Sequence, residues 1–168
     1  MNPANITGIR VVLAKASAAS LSYALYLNDG RPAFALSSDG TWTTPIMSTS
    51  TLSANAWTHL AAVRNGTTVS LYVNGTAVAQ GTFANTVFDS SMNLTCAAMD
   101  GGANAFAGLI DDVRVSDTDR SAAFNTVTAR YTYNNANQLT TEQSGLQTKT
   151  YTYDPNGNNT AVATTVSG

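Results

Sequence analysis

The strongest pattern along the chain is a period-two alternation of apolar and polar residues, interrupted at short intervals by turn signals. In residues 67–73, Val69, Leu71 and Val73 fall on one face and Ser70 and Tyr72 on the other. That is the spacing of a β-strand, whose side chains alternate across its two faces. Before it, Trp57-Thr58-His59-Leu60-Ala61-Ala62-Val63-Arg64 is apolar on both faces, as expected of a strand in the middle of a sandwich. Asn65-Gly66 joins these two runs and Asn74-Gly75 leads on to residues 76–80. Asn-Gly supplies the positive φ that a two-residue hairpin loop requires. A three-stranded antiparallel meander is therefore predicted over residues 57–80.

Similar signals mark shorter strands elsewhere. Residues 11–15, 23–27 and 33–36 read as strands, the last two joined at Asn28-Asp29-Gly30. Downstream, residues 92–98 and 106–115 read the same way, with Leu109, Asp111, Val113 and Val115 on one face of the last. No long stretch holds a helical period, so the predicted class is all-β.

Three of these segments, in order, carry a resemblance. Trp57-Thr58-His59-Leu60-Ala61, Leu71-Tyr72-Val73-Asn74-Gly75 and Phe106-Ala107-Gly108-Leu109-Ile110-Asp111-Asp112-Val113-Arg114-Val115 resemble laminin-G-like domains of the concanavalin A-like lectin/glucanase superfamily. The resemblance covers roughly residues 9–119 and implies an antiparallel jelly-roll β-sandwich. Such domains usually open with a strand that precedes the equivalent of residues 11–15. This chain starts Met1-Asn2-Pro3, as if entering after that strand, so the expectation is a sandwich lacking its first strand and a fragment of a longer protein. A sheet edge left uncovered in this way invites association.

Beyond Asp119 the character changes. Residues 120–128 read as a linker, with a short helical turn over 121–127. Then Arg130-Tyr131-Thr132-Tyr133-Asn134-Asn135-Ala136-Asn137 is echoed twenty residues later by Thr150-Tyr151-Thr152-Tyr153-Asp154-Pro155-Asn156-Gly157. The pattern resembles the YD (RHS-type) repeats of bacterial surface and secreted proteins, with Asn134 and Asn137 standing where Asp and Gly are usual. The expected organisation is a sandwich over 1–119, the linker, and two partial repeats over 129–168. Each repeat is a hairpin that needs stacked neighbours to bury its face.

Bulk properties narrow the function. Of 168 residues, 43% are hydrophobic, enough for a core, and only 11% are charged. The formal net charge is -2, and no basic run is present to neutralise several phosphates, so nucleic acid is not an expected partner. No run of residues reaches the ~18–20 apolar positions of a membrane-spanning helix, and no positively charged leader precedes the apolar residues near the start. Cys96 is the single cysteine, so no internal disulfide is possible. The resemblance implies an extracellular or surface setting.

Candidate chemistry is sparse. Retaining glucanases need two carboxylates about 5 Å apart. The only glutamate is Glu142, in the repeat tail, so no enzyme is expected. His59 is the sole histidine and fits the family's strand motif as a structural residue. One of Asp111 and Asp112, with loop carbonyls, is a candidate calcium ligand, because consecutive strand residues face opposite ways unless a bulge intervenes. Trp42, beside Asp39-Gly40, and secondly Tyr26, are the candidate platforms for a sugar ring. Asp154-Pro155-Asn156-Gly157-Asn158 resembles the start of an EF-hand loop but lacks its later glycine and glutamate. The expected function is a non-catalytic module recognising a glycan or a cell-surface partner. The alternative is a spacer or cap on a shell of neighbouring YD repeats.

Overall fold

A computed structural model describes residues 1–121, 130–144 and 147–166. Most of the predicted linker lies outside the described residues. The chain divides into two compact units, Met1–Asp119 and Arg120–Gly168.

The first unit is built from antiparallel strands: β1 (Asn2–Pro3), β2 (Ile9–Ala16), β3 (Leu21–Asn28), β4 (Arg31–Leu36), β5 (Ile46–Met47), β6 (Leu60–Asn65), β7 (Thr68–Val73), β8 (Thr76–Thr82), β9 (Leu94–Cys96) and β10 (Gly108–Leu109). They form a five-stranded sheet in the order β5-β4-β3-β2-β9, a three-stranded sheet β6-β7-β8, and the pair β1-β10. The fold is an all-β sandwich of the kind the three sequence segments imply.

Turn chemistry places the meander. Asn65 pairs with Thr68 and Val73 with Thr76, leaving Gly66-Thr67 and Asn74-Gly75 as two-residue loops. Asn74 and Gly75 both hold positive φ, 49° and 80°, as do Asp29 and Gly30 between β3 and β4, at 48° and 76°. Mirror-image turns of this kind match the twist of the strands they join.

Two clusters make the core. Small side chains (Ala14, Ala16, Ala24, Ala33 and Ala35) share one cluster with Val11, Leu21, Tyr26 and Met99. The larger residues occupy volume that the alanines leave. Met1, Val12 and Leu27 form the second, against Leu60, Phe106 and Ile110. In the three-stranded sheet Val69 and Leu71 are fully buried, and β5 packs on β8 so closely that a Cβ on Gly81 would lie 2.8 Å from Ile46. Each fully buried aliphatic side chain contributes about 1.5–3 kcal/mol through removal from water.

Two segments depart from their alternation. Trp57 is 56% exposed, and the β6 ladder starts only at Leu60. Residues 55–58 are held by the chain's first residues instead: Asn55 N–H donates to Pro3 O and Thr58 N–H to Met1 O. Of residues 106–115, only Gly108–Leu109 joins a ladder. Asp112 has φ +52°, which takes the backbone out of extended geometry, and Val113 and Val115 are half exposed.

The second unit is a four-stranded antiparallel meander, β11 (Arg130–Tyr133), β12 (Leu139–Ser144), β13 (Gln147–Tyr153) and β14 (Asn159–Val166). Its hairpins repeat bond for bond at twenty residues. Tyr133 pairs with Leu139 after a shift at Thr132, and Tyr153 pairs with Asn159 after a shift at Thr152. Asn134 Oδ1 accepts from the N–H groups of Ala136 and Gln138, each at 3.0 Å. Asp154 Oδ1 accepts from Asn156 and Asn158, each at 2.9 Å. Asn137, φ +61°, stands where Gly157 has φ +87°. Asn can stand in for Asp154 and Gly157 of the second hairpin because its amide oxygen caps the turn as a carboxylate does and its side chain tolerates left-handed backbone.

Candidate functional site

The loop between β4 and β5 is built on Asp39. Its Oδ1 accepts from Thr41 N–H (2.9 Å), Thr41 Oγ1 (2.7 Å) and Ser37 Oγ (3.1 Å). Ser37 Oγ in turn accepts from Gly40 N–H at 2.9 Å, and Gly40 O receives Leu21 N–H at 2.8 Å. These bonds to the charged form, Thr41 N–H foremost, hold the Asp39 carboxyl below its usual range. The loop is thereby a fixed platform, and Trp42 stands on it.

Trp42 is 36% exposed. Its Nε1–H donates to Ser17 O at 3.1 Å, and its ring meets Tyr26 edge-on, with centroids 6.4 Å apart and planes at 81°. Tyr26 is only 6% exposed and belongs to the alanine-lined core; burial pushes its phenol pKa up. The two aromatic residues singled out in the sequence thus sit together in different roles. Tyr26 supports the indole from below, and Trp42 is the ring that meets solvent. No spacing rule links positions 26 and 42, so their partnership was invisible in the sequence; it depends on the loop folding back over β3.

The acidic pair lies at the other end of the unit's sequence. Asp112 N–H donates to Asp111 Oδ1 at 2.9 Å, and both residues are exposed. Because Asp112 is left-handed, strict alternation between faces does not apply to the pair. Arg64 is engaged away from the pair: it donates to Gly66 O (3.0 Å) and Asn85 O (2.9 Å) and lies over Phe83. Among the described residues no group of three or more His, Cys, Asp or Glu side chains comes together to hold a metal ion.

The remaining reactive residues are dispersed. His59 is exposed just before β6, its N–H donating to Asn74 Oδ1 at 2.9 Å, and Cys96 is exposed on β9. Glu142 lies in the second unit, accepting from Tyr151 OH at 2.9 Å with Lys149 Nζ at 3.5 Å. Among the described residues no helix is long and apolar enough to cross a membrane.

Comparison with known proteins places the first unit. Residues 1–124 match the family Laminin_G_3, described as the concanavalin A-like lectin/glucanases superfamily, and the chain belongs to it. Among solved structures, a fragment (residues 221–444) of an S-layer domain-containing protein from Clostridium thermocellum is similar at 24% identity with a TM-score of 0.32. That alignment covers 61% of this chain and 54% of the other. No curated protein matches the chain.

Proposed function

We propose that this concanavalin A-like sandwich is a non-catalytic recognition module acting outside the cell, with a glycan or a glycan-bearing surface partner as its ligand. The observation that carries the reading is Trp42: a partly exposed indole on a hydrogen-bonded loop, fixed by Ser17 O and braced by Tyr26. A rigid aromatic face suits the apolar face of a sugar ring, since few rotamers are lost on binding. The exposed hydroxyl oxygens of Thr41 and Thr43, whose protons go to Asp39 Oδ1 and Leu36 O, remain acceptors on either side of it. Calcium enters as a candidate ligand of Asp111 or Asp112, with backbone carbonyls completing the set.

The test is a glycan array probed with the intact chain, with and without calcium, followed by titration of any sugar bound. Trp42→Ala is expected to weaken binding at least about tenfold, equivalent to ~1.4 kcal/mol. The substitution also removes the Ser17 bond and the Tyr26 contact, so the melting temperature is expected to fall, and affinities are compared at a temperature where both proteins are folded. No sugar bound in either condition, or equal affinity in Trp42→Ala, overturns the glycan reading.

A second reading, that the sandwich is a spacer or cap on a shell of YD-type repeats, has its own observation. The two hairpins of the second unit are bonded alike and to each other, with Gln138 Nε2–H donating to Gly157 O at 3.2 Å and Tyr153 OH to Leu139 O at 2.9 Å. Such neighbour-to-neighbour bonding is how a repeat array gains stability. Chains carrying additional copies of residues 139–158 distinguish the readings. A steep rise in melting temperature with copy number, together with no sugar binding, favours the architectural role.

A further inference from the structure

We infer that the Trp42 platform takes neutral sugars and turns away acidic ones, with the Tyr26 hydroxyl as the group that bonds the seated ring. The inference rests on the glycan reading above and names the class of ligand that the same site admits.

Charge around the platform has one prevailing sign. Residues 16–28 carry no charged side chain, and residues 32–58 carry one, Asp39, three positions before Trp42. Asp39 is exposed, and the donors gathered on its Oδ1, Thr41 N–H foremost, favour its ionised form. Two further carboxylates are drawn to this end of the unit. Asp89 lies between Phe88, whose N–H donates to Ser37 O at 2.7 Å, and Ser90, whose N–H donates to Ser22 Oγ at 2.9 Å. Asp100 N–H donates at 2.8 Å to Ala16 O, the carbonyl next to the Ser17 O that holds the indole. The cation beside them is Lys15, and it is paired with Asp89. One positive charge therefore stands against three negative ones.

Tyr26 supplies a neutral group at the same place. Its ring is buried under Trp42, and burial alone, with no hydrogen bond contributing, raises its pKa. Among the described residues the buried side-chain nitrogen or oxygen without a hydrogen-bond partner is Arg10 Nε. The Tyr26 hydroxyl, itself unbonded, is therefore not sealed in the core but opens to solvent. A phenol in this state stays protonated at neutral pH and can donate as well as accept.

The two observations describe one ligand class. Sugar hydroxyls can donate to the Thr41 and Thr43 oxygens and accept from Tyr26. A carboxylate or sulfate on the sugar would instead lose water beside Asp39 with no free cation to answer it. Like charges set against the wrong ligand are a common source of selectivity.

The experiment titrates the intact chain with the methyl glycosides of glucose, galactose and mannose, each beside its own uronate, following the amide resonances of residues 39–43. In the pair that binds, the neutral sugar is expected to bind at least about tenfold tighter at low ionic strength, and added salt should narrow the ratio. Asp39→Asn keeps the accepting oxygen and removes the charge, so the uronate should come within about threefold of the neutral sugar. Tyr26→Phe removes one oxygen and leaves the core packed, so affinity for the neutral sugar should fall at least about fivefold with little change in melting temperature. A uronate that binds as well as its neutral partner, or a ratio unchanged in Asp39→Asn, overturns the charge selection and leaves the platform standing. Unchanged affinity in Tyr26→Phe overturns the role of the hydroxyl. Absence of any shift with all these sugars overturns the inference, while the Trp42 reading is judged separately by the array and Trp42→Ala.

Discussion

Gly108 illustrates how much can depend on one missing side chain. Its φ is +144°, and a Cβ there would lie 2.2 Å from Asn2 O and 2.9 Å from Ala4 N. Both neighbours are backbone, so nothing can rotate out of the way. Gly108→Ala is expected to unseat β1 at a cost on the order of 2–4 kcal/mol, as for other strained backbone substitutions. Urea denaturation measures the cost, and faster chemical labelling of the Met1 amine reports the local release. The family motif marked this glycine in the sequence, but not what it approaches. Trp57 shows the converse. Its apolar neighbours made it read as core, yet hydrophobicity does not say which face a residue takes once residues 1–3, more than fifty positions away, fix the local backbone.

At the scale of elements, what was legible was whatever local chemistry specifies. The Asn-Gly and Asp-Gly turns fix register within two residues, so β3 to β4 and β6 to β8 could be read directly. The β2–β9 pairing joins residues about eighty positions apart and leaves no local trace. The closing segment failed as a long strand because its alternation is real but its backbone turns at Asp112. Within the meander, Leu71 is fully buried, and Leu71→Ala is expected to cost about 2–5 kcal/mol in thermal or urea unfolding, with the spread set by how far the cavity collapses. The repeat hairpins offer a cleaner comparison. Asp154 is held below its usual pKa of 3.8, first by Asn158 Nδ2–H and then by backbone N–H groups. A depressed carboxylate stabilises the fold above its unfolded pKa and loses that contribution as pH falls through the folded value. Below pH 3.8 the second turn should therefore loosen while the first, capped by the non-titrating Asn134, stays as it is. Amide exchange across residues 134–138 and 154–158 in acid separates the two; equal loosening would mean that the carboxylate is not what holds the second turn.

For the whole molecule, composition excluded more than it assigned. One glutamate, one histidine and one cysteine on separate elements leave no assembled constellation among the described residues, while the sandwich class was readable from strand rhythm and three ordered motifs. The candidate platform was half legible: Trp42 could be named from its place beside a turn, but its bracing by Tyr26 could not. Calcium is decided on the intact chain. An ion at Asp111 or Asp112 should shift the amide resonances of residues 109–113, and chelator should reverse the shift.

The pinned amino group also bears on how the protein is handled. With Met1 only 8% exposed and its amine bonded to Thr58 O, an affinity tag fused ahead of it cannot hang loose in solvent. Residues fused ahead of Met1 would run directly along β6 and replace the charged amine near Asp111. Purification handles and fluorophores belong at the other terminus, and binding data from amino-terminally tagged protein would report in part on the tag.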